Sequence, residues 1–167
     1  MAMTTPLDSS APQAGKVGVS RRFARQLALQ MLFQYEFQDS DPSWQDKFWA
    51  SQSTSPEVRG FTSLLVEGVL NHQPEIDQLI RRFAVDWSLE RMPVVDRNIL
   101  RCAIFELLWI PDIPAMVTIN EAIELAKLFA DDEAKKFING LLDHILREDN
   151  RLAEKRTRAK FKTPTAS

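Results

Sequence analysis

Thr118-Ile119-Asn120-Glu121-Ala122-Ile123-Glu124-Leu125-Ala126-Lys127 decides how this chain is read. Ile119, Ala122, Ile123 and Ala126, continued by Phe129, recur at three- and four-residue steps, which puts them on one face of a helix and excludes a strand. Thr118 and Glu121 stand at the spacing of a capping box, in which hydroxyl and carboxylate satisfy each other's orphan backbone donors. Upstream, Pro111 and Pro114 cannot continue a helical ladder. They end a run that opens at Pro93 and carries Val95, Ile99, Cys102, Ala103 and Leu107 to about Trp109. Downstream, Asp131 and Asp132 open a long helix with Phe137, Ile138, Leu141, Leu142 and Ile145 inward.

The same period governs the N-terminal half. Ser55-Pro56-Glu57 combines an N-cap serine, proline at the first helical position and an acid in the first turn. Val58, Phe61, Leu65 and Val69 follow as a buried stripe, and Pro74 opens a further helix with Ile76, Leu79, Ile80 and Phe83 inside. Gly60 and Gly68 lie within this pattern at about 1 kcal/mol each relative to alanine, which calls for close helix packing in return. Ser43-Trp44-Gln45-Asp46 reads as a short capped helix bearing Phe48 and Trp49. Before it, Ala24, Leu27, Ala28, Met31, Leu32 and Tyr35 form the inner face of a helix that Ser20 caps. No stretch alternates with period two. The expectation is an all-α protein of about seven helices in two small bundles: residues 1–19 a disordered leader, 20–150 the helical domain, 151–167 a basic tail that frays into solvent.

Composition narrows the function. With 167 residues, 44% apolar and 26% charged, the chain can bury roughly 70% of its unfolded surface without a disulfide or metal staple. Its five glycines form no phosphate-cradling loop, and the sequence patterns of zinc proteases and serine hydrolases are absent. Cys102 stands alone, the first twenty residues hold no apolar signal core, and no apolar run approaches a membrane span. A cytoplasmic protein with no cofactor and no metal is expected. The net charge of −2 conceals an uneven distribution: +3 over residues 1–25, +5 over 151–167 and −10 between them. An acidic body with basic ends suggests a polyanionic partner reached through the ends.

Catalytic chemistry finds little footing. His72, placed at a helix end, and His144, on a helix flank, have no ligand or base at useful spacing. Glu121/Glu124 and Asp131/Asp132 suit capping or solvated faces. Glu106 and Asp112 lie in or beside an apolar run with no nucleophile or cofactor motif, and Cys102 reads as an inert core thiol. The first helix is different. Arg21, Arg22 and Arg25 bunch on its first turns, where cations oppose the macrodipole, an arrangement that favours an external anion. Arg22, Gln26, Leu29 and Phe33 project opposite Ala24, Ala28, Met31 and Tyr35. Such a face either grips phosphates and stacks an unpaired base, or packs Leu29 and Phe33 against a neighbouring helix.

The motifs resemble those of the bacterial transcription antitermination factor NusB family. Arg21-Arg22-Phe23-Ala24-Arg25-x-x-Ala28-x-Gln30-x-Leu32-Phe33 is similar to that family's opening helix. Val95-Asp96-Arg97-Asn98-Ile99-Leu100-Arg101 with Phe105-Glu106-Leu107 adds to the match, as does Asp112-Ile113-Pro114 followed by Ile119 to Lys127. Lys136-Phe137-Ile138-Asn139-Gly140 with Leu142-Asp143 completes it over about residues 20–148. The resemblance implies an RNA-binding protein and not an enzyme. Its RNA would be the single-stranded boxA element of ribosomal RNA leaders, bound jointly with NusE, a small-subunit ribosomal protein, in an antitermination complex on RNA polymerase. By position, Arg21, Arg22 and Arg25 would contact the RNA backbone, Phe33 stands where the family often has tyrosine, and Arg101, Lys136 and Phe137 match further RNA-facing positions. Glu90 and Asp96 match positions near the protein partner.

Three departures stand out: Phe23 where another arginine can occur, Phe33 without the tyrosine hydroxyl, and Glu133-Ala134 in place of an Asp-Ser pair. Two alternatives come with the same fold. One is the helical RNA-binding half of a ribosomal RNA cytosine methyltransferase. The other is a homodimeric interaction module whose contact Trp44, Trp49, Trp87 and Trp109 line. On the leading reading, Arg22→Ala with Arg25→Ala weakens boxA binding and leaves the melting temperature nearly unchanged.

Overall fold

The computed structural model describes residues 14–38 and 41–161. Seven α-helices are found among them: α1 (Ala14–Phe37), α2 (Trp44–Ala50), α3 (Pro56–Phe83), α4 (Val94–Trp109), α5 (Ala115–Phe129), α6 (Asp132–Glu148) and α7 (Ala153–Phe161). Single 3-10 turns cover Leu89–Arg91 and Asn150–Leu152. The all-α expectation holds. Most of the leader, residues 1–13, lies outside the described residues.

The helix starts follow local chemistry at three points. Ser55 accepts from the Val58 backbone N–H at 3.3 Å, with Pro56 at the first helical position. Asp131 accepts from the Ala134 N–H at 2.8 Å. Val94 follows Pro93 as expected. At α2, Ser43 stands at the N-cap but does not cap with its side chain; Asp41 instead accepts from both the Ser43 amide and its hydroxyl.

Four boundaries differ from the sequence reading. The first helix starts at Ala14, so Ser20 lies inside it. Pro74 opens nothing: α3 runs through it for 28 residues, about 42 Å at 1.5 Å per residue. The missing N–H and ring crowding at Pro74 are outweighed by burial on both sides, Leu65, Val66 and Val69 before it and Ile76, Leu79 and Ile80 after. Helix α5 starts three residues ahead of Thr118, and the Thr118–Glu121 pair serves tertiary contacts instead of a capping box. The tail does not fray at Arg151, because the 3-10 turn and α7 continue the fold and Leu152 is buried.

Helix α4 is the centre. It packs against α1, α3, α5 and α6, and Asn98 to Leu107 are buried without a break. Helices α1, α2 and α3 form one bundle beside it and α5, α6 and α7 the other, with one continuous apolar core through both. Across the α1–α3 contact the buried Thr62 hydroxyl donates to Ala24 O (3.2 Å) and to Val58 O within its own helix (2.7 Å).

The two helix glycines part company. A Cβ at Gly68 would fall inside the Phe105 ring, so α3 and α4 meet there at a separation only glycine permits. Gly60 faces open space and has no such role. Gly68→Ala is therefore expected to lose about 1–3 kcal/mol in urea denaturation through overpacking, and Gly60→Ala to gain about 0.5–1 kcal/mol through helix propensity.

Candidate nucleic-acid interface

Helix α1 carries the arginine cluster, and helical geometry sorts its members. Ala24, Leu27, Ala28, Met31 and Leu32 face the core. Leu29 is buried with them, so it belongs to the packing face and not to the outer one. Arg25, one turn from Leu29, is carried inward as well. Its Nε and Nη2 donate to Glu106 Oε2 and Oε1 at 3.0 and 2.7 Å, a bidentate pair with both side chains under 5% exposed. Thr118 of α5 donates to the same Glu106 carboxylate at 3.3 Å. Burial puts Arg25 out of reach of an external phosphate, and its role here is to join α1 to α4.

Arg21 and Arg22 remain outside. Arg22 is half-exposed and forks onto Glu121 of α5, Nε to Oε2 at 3.1 Å and Nη2 to Oε1 at 2.9 Å. The Glu121 hydrogen bond, followed by its charge, raises the Arg22 pKa further. Its Nη1 has no acceptor among the described residues. Arg21 lies over the Phe61 ring, with its guanidinium carbon 5.1 Å from the centroid. Further along, Phe33 and Phe37 are exposed, their ring centroids 4.9 Å apart. Tyr35, placed inward by the sequence pattern, is exposed and meets Trp44 at 5.4 Å.

The arginines do not stand at the mouth of the helix dipole. Since α1 begins at Ala14, they occupy its second to fourth turns, where the terminal partial charge has faded. Two carboxylates from α4 and α5 supply part of the anionic complement that an outside ligand was expected to bring.

Arg101 is also internal. It donates to Asp77 Oδ1 and Oδ2 at 2.8 and 3.0 Å, to Glu36 Oε1 at 3.0 Å and to Asn98 Oδ1 at 3.1 Å. Arg97 holds the other side of Glu36. An arginine with four acceptors inside the protein holds α1, α3 and α4 together, and its burial removes it from any RNA-facing surface.

The remaining positions fall on two other surfaces. Lys136 is exposed on α6 beside the half-buried Phe137, whose ring lies 5.7 Å from that of Trp87. Glu90 is exposed in the Leu89–Arg91 turn, where hydrogen bonds from Arg81 (2.7 Å) and Ser88 (2.8 Å) hold its carboxyl down at about 2. Half-buried Asp96, in the first turn of α4, has its pKa raised by burial and then by the nearby charge of Asp131. A recess of about 510 Å³ lined by Arg81, Trp87, Glu90 and Arg91 opens beside the turn.

Several residues stand differently from the sequence reading. Trp87 is the exposed tryptophan; Trp49 is buried under Arg59, and Trp44 and Trp109 are half-buried against Tyr35 and His72. His72 is in the middle of α3 and stacks on Trp109 at 4.1 Å, a packing role. Lys155 and Arg156, placed in the tail, cap helices. Lys155 Nζ donates to Glu106 O and Ile110 O at the end of α4, and Arg156 to Leu146 O and Asp149 O at the end of α6. Burial lowers the Lys155 pKa. A carboxylate at Glu106 inside an apolar run was the signal for the Arg25 pair, since such a group is rarely buried unpaired. No group of three or more His, Cys, Asp or Glu able to hold a metal occurs among the described residues. No described helix is long and apolar enough to cross a membrane.

An all-helical scaffold with a cationic and aromatic helix face is thus defined, and relatives place it. Residues 22–147 match the NusB family. The transcription antitermination protein NusB of Heliobacterium modesticaldum is 43% identical over 149 residues, covering 89% of this chain and 72% of the relative. That of Myxococcus xanthus is 45% identical over 131 residues, covering 75% and 94%. Among solved structures, T. maritima NusB superimposes with a TM-score of 0.70 at 38% identity, over 77% of this chain and 91% of that one. A chain from the complex of the antitermination factors NusB and NusE with dsRNA gives 0.68 at 25% identity, over 77% and 97%. The chain belongs to the NusB family.

Arg25→Ala leaves Glu106 buried and unpaired and is expected to cost about 3–5 kcal/mol, seen as a sharp fall in melting temperature, while Arg22→Ala leaves that temperature nearly unchanged. The double substitution is therefore expected to destabilise the protein, contrary to the sequence reading. Burial, and next the charge of Glu106, push the Cys102 thiol up to about 12, so a thiol reagent at neutral pH is expected to label it only after denaturant is added.

Proposed function

We propose that this protein is a non-enzymatic transcription antitermination factor that binds single-stranded boxA-type RNA together with NusE and acts on RNA polymerase. The observation that carries this reading is the outer face of α1, where Arg21 and Arg22 stand exposed on the helix that exposes Phe33. Guanidinium groups capture phosphates and an exposed ring stacks on an unpaired base, which together suit a single strand. The names of the relatives and the solved NusB–NusE–RNA assembly support the same assignment.

Within this proposal Arg21, Arg22 and Phe33 form the primary RNA contact, and Lys136 with Phe137 a second one on α6. Arg25 and Arg101 act from inside, by holding α1 in place. Glu90 and Asp96 flank the surface offered to NusE, whose ribosomal origin makes it a cationic partner suited to two carboxylates.

Replacing Arg21 and Arg22 together by alanine is expected to weaken binding of a labelled boxA-containing RNA in the presence of NusE. The slope of log affinity against log salt should become shallower by about 1.4, at ~0.7 per phosphate contact on a single strand. Fluorescence anisotropy across a salt series measures both quantities. An affinity and a slope equal to those of the unaltered protein would overturn the RNA reading of α1.

A further inference from the structure

We propose that Phe37 is a second base-stacking ring, so that the RNA site continues along α1 past Phe33 to the end of the helix; this rests on the RNA-binding reading given above. Arg22, Gln26, Gln30, Phe33 and Phe37 follow one another at steps of four, four, three and four residues, which places them in one stripe. Phe37 is 64% exposed and Phe33 43%, and their rings touch at 4.9 Å with a 49° tilt. The two rings are in contact, and each keeps a large part of its surface open to solvent. From Arg22 to Phe37 the stripe runs about 22 Å at 1.5 Å per residue.

The chemistry along it matches a single strand of RNA. Gln30 and Gln34 are exposed and Gln26 partly so, supplying amides that can donate to and accept from base edges. The single acid of α1, Glu36, turns its carboxylate onto Arg97 and Arg101. The helix itself thus offers rings, amides and guanidinium groups, and the carboxylate that reaches the stripe from α5, Glu121, is engaged by Arg22.

The test uses the full chain with NusE and a boxA-containing RNA carrying 2-aminopurine at successive positions. Phe37→Ala is expected to bind about tenfold more weakly with an unchanged salt slope, since a stacked ring contributes affinity without releasing counterions. It should also abolish the quenching of 2-aminopurine at one position, and Phe37→Trp should restore both. If the unaltered protein binds the RNA and Phe37→Ala equals it in affinity and quenching, the second ring is wrong while the function stands. If Phe37→Ala leaves RNA binding intact and instead converts a dimer to a monomer in light scattering, the ring belongs to a self-interface and the proposal is overturned. If the unaltered protein with NusE binds no RNA at any salt concentration, the function itself fails and the second ring with it.

Discussion

The buried pair between Arg25 and Glu106 is the constraint on which the arrangement depends. Four helices converge on it: α1 brings the guanidinium, α4 the carboxylate, α5 the Thr118 hydroxyl, and α7 the Lys155 ammonium on the Glu106 backbone carbonyl. Desolvating two charges is expensive, and the Coulomb attraction repays it only when the remaining hydrogen-bonding capacity is met. Here it is met by a bidentate fork with a hydroxyl on one of its oxygens. Arg101 repeats the device at the C-terminal end of α1, where it and Arg97 hold Glu36 while Asp77 ties Arg101 to α3. Helix α1 is thus pinned to α4 at its middle and at its C-terminal end by ion pairs, with apolar contacts between. A helix pinned this way has one rotation about its axis, and that rotation alone sets which of its residues face outward.

That coupling explains how one short motif supplies two kinds of arginine. Arg22 and Arg25 are three residues apart, only about 60° around the helix, so Arg25 falls just inside the edge of the buried face and Arg22 just outside it. Glu121, whose carboxylate is bonded to Arg22 and lies 4.0 Å from Arg25 Nη1, stands at the border between them. The half-exposed Arg22 is therefore held on one edge by a carboxylate while the other is open, so its guanidinium is oriented before any ligand arrives. Ordering a flexible arginine in advance lowers the entropy that binding would otherwise cost.

The fold was legible in the sequence wherever a local cause sufficed. Pro56 behind Ser55, Pro93, and Asp131 marked real starts because capping and proline geometry act within a few residues. The reading failed where tertiary contacts outweighed local ones. Thr118 and Glu121 have capping-box spacing, yet each finds a partner on another helix, and Pro74 is carried by the burial on both sides of it. Arg101 was unreadable as a buried group for the same reason, and Arg25 was signalled only from the other side, by the carboxylate of Glu106 in an apolar run. An arginine on a helix looks alike in sequence whether its anion lies inside the protein or in solution, and the anions are 81 and 24 residues away. The stacking candidate Phe33 was legible because amphipathic periodicity placed it outside. Trp87 was not, since it stands in a loop and meets Phe137 only through the tertiary fold.

The basic ends of the chain also differ in what they leave for a polyanion. In the described part of the tail, Lys155 and Arg156 answer the C-terminal carbonyls of α4 and α6, Arg151 pairs with Asp149 and Arg158 with Glu154. Cations at helix C-termini oppose the negative end of the dipole and satisfy orphan acceptors, so their charge is committed to the fold. These four described cations of the tail are thus engaged within the fold. Arg21, in contrast, rests on the face of Phe61 with no carboxylate of the described residues bonded to it, and Arg22 shares one carboxylate through only part of its guanidinium. Against an acidic body, uncompensated charge of this kind focuses the attraction for phosphate on the outer face of α1. The charge that counts for a polyanion is what ion pairing leaves over, and by that measure Arg21 and Arg22 offer more than the described cations Arg151, Lys155, Arg156 and Arg158.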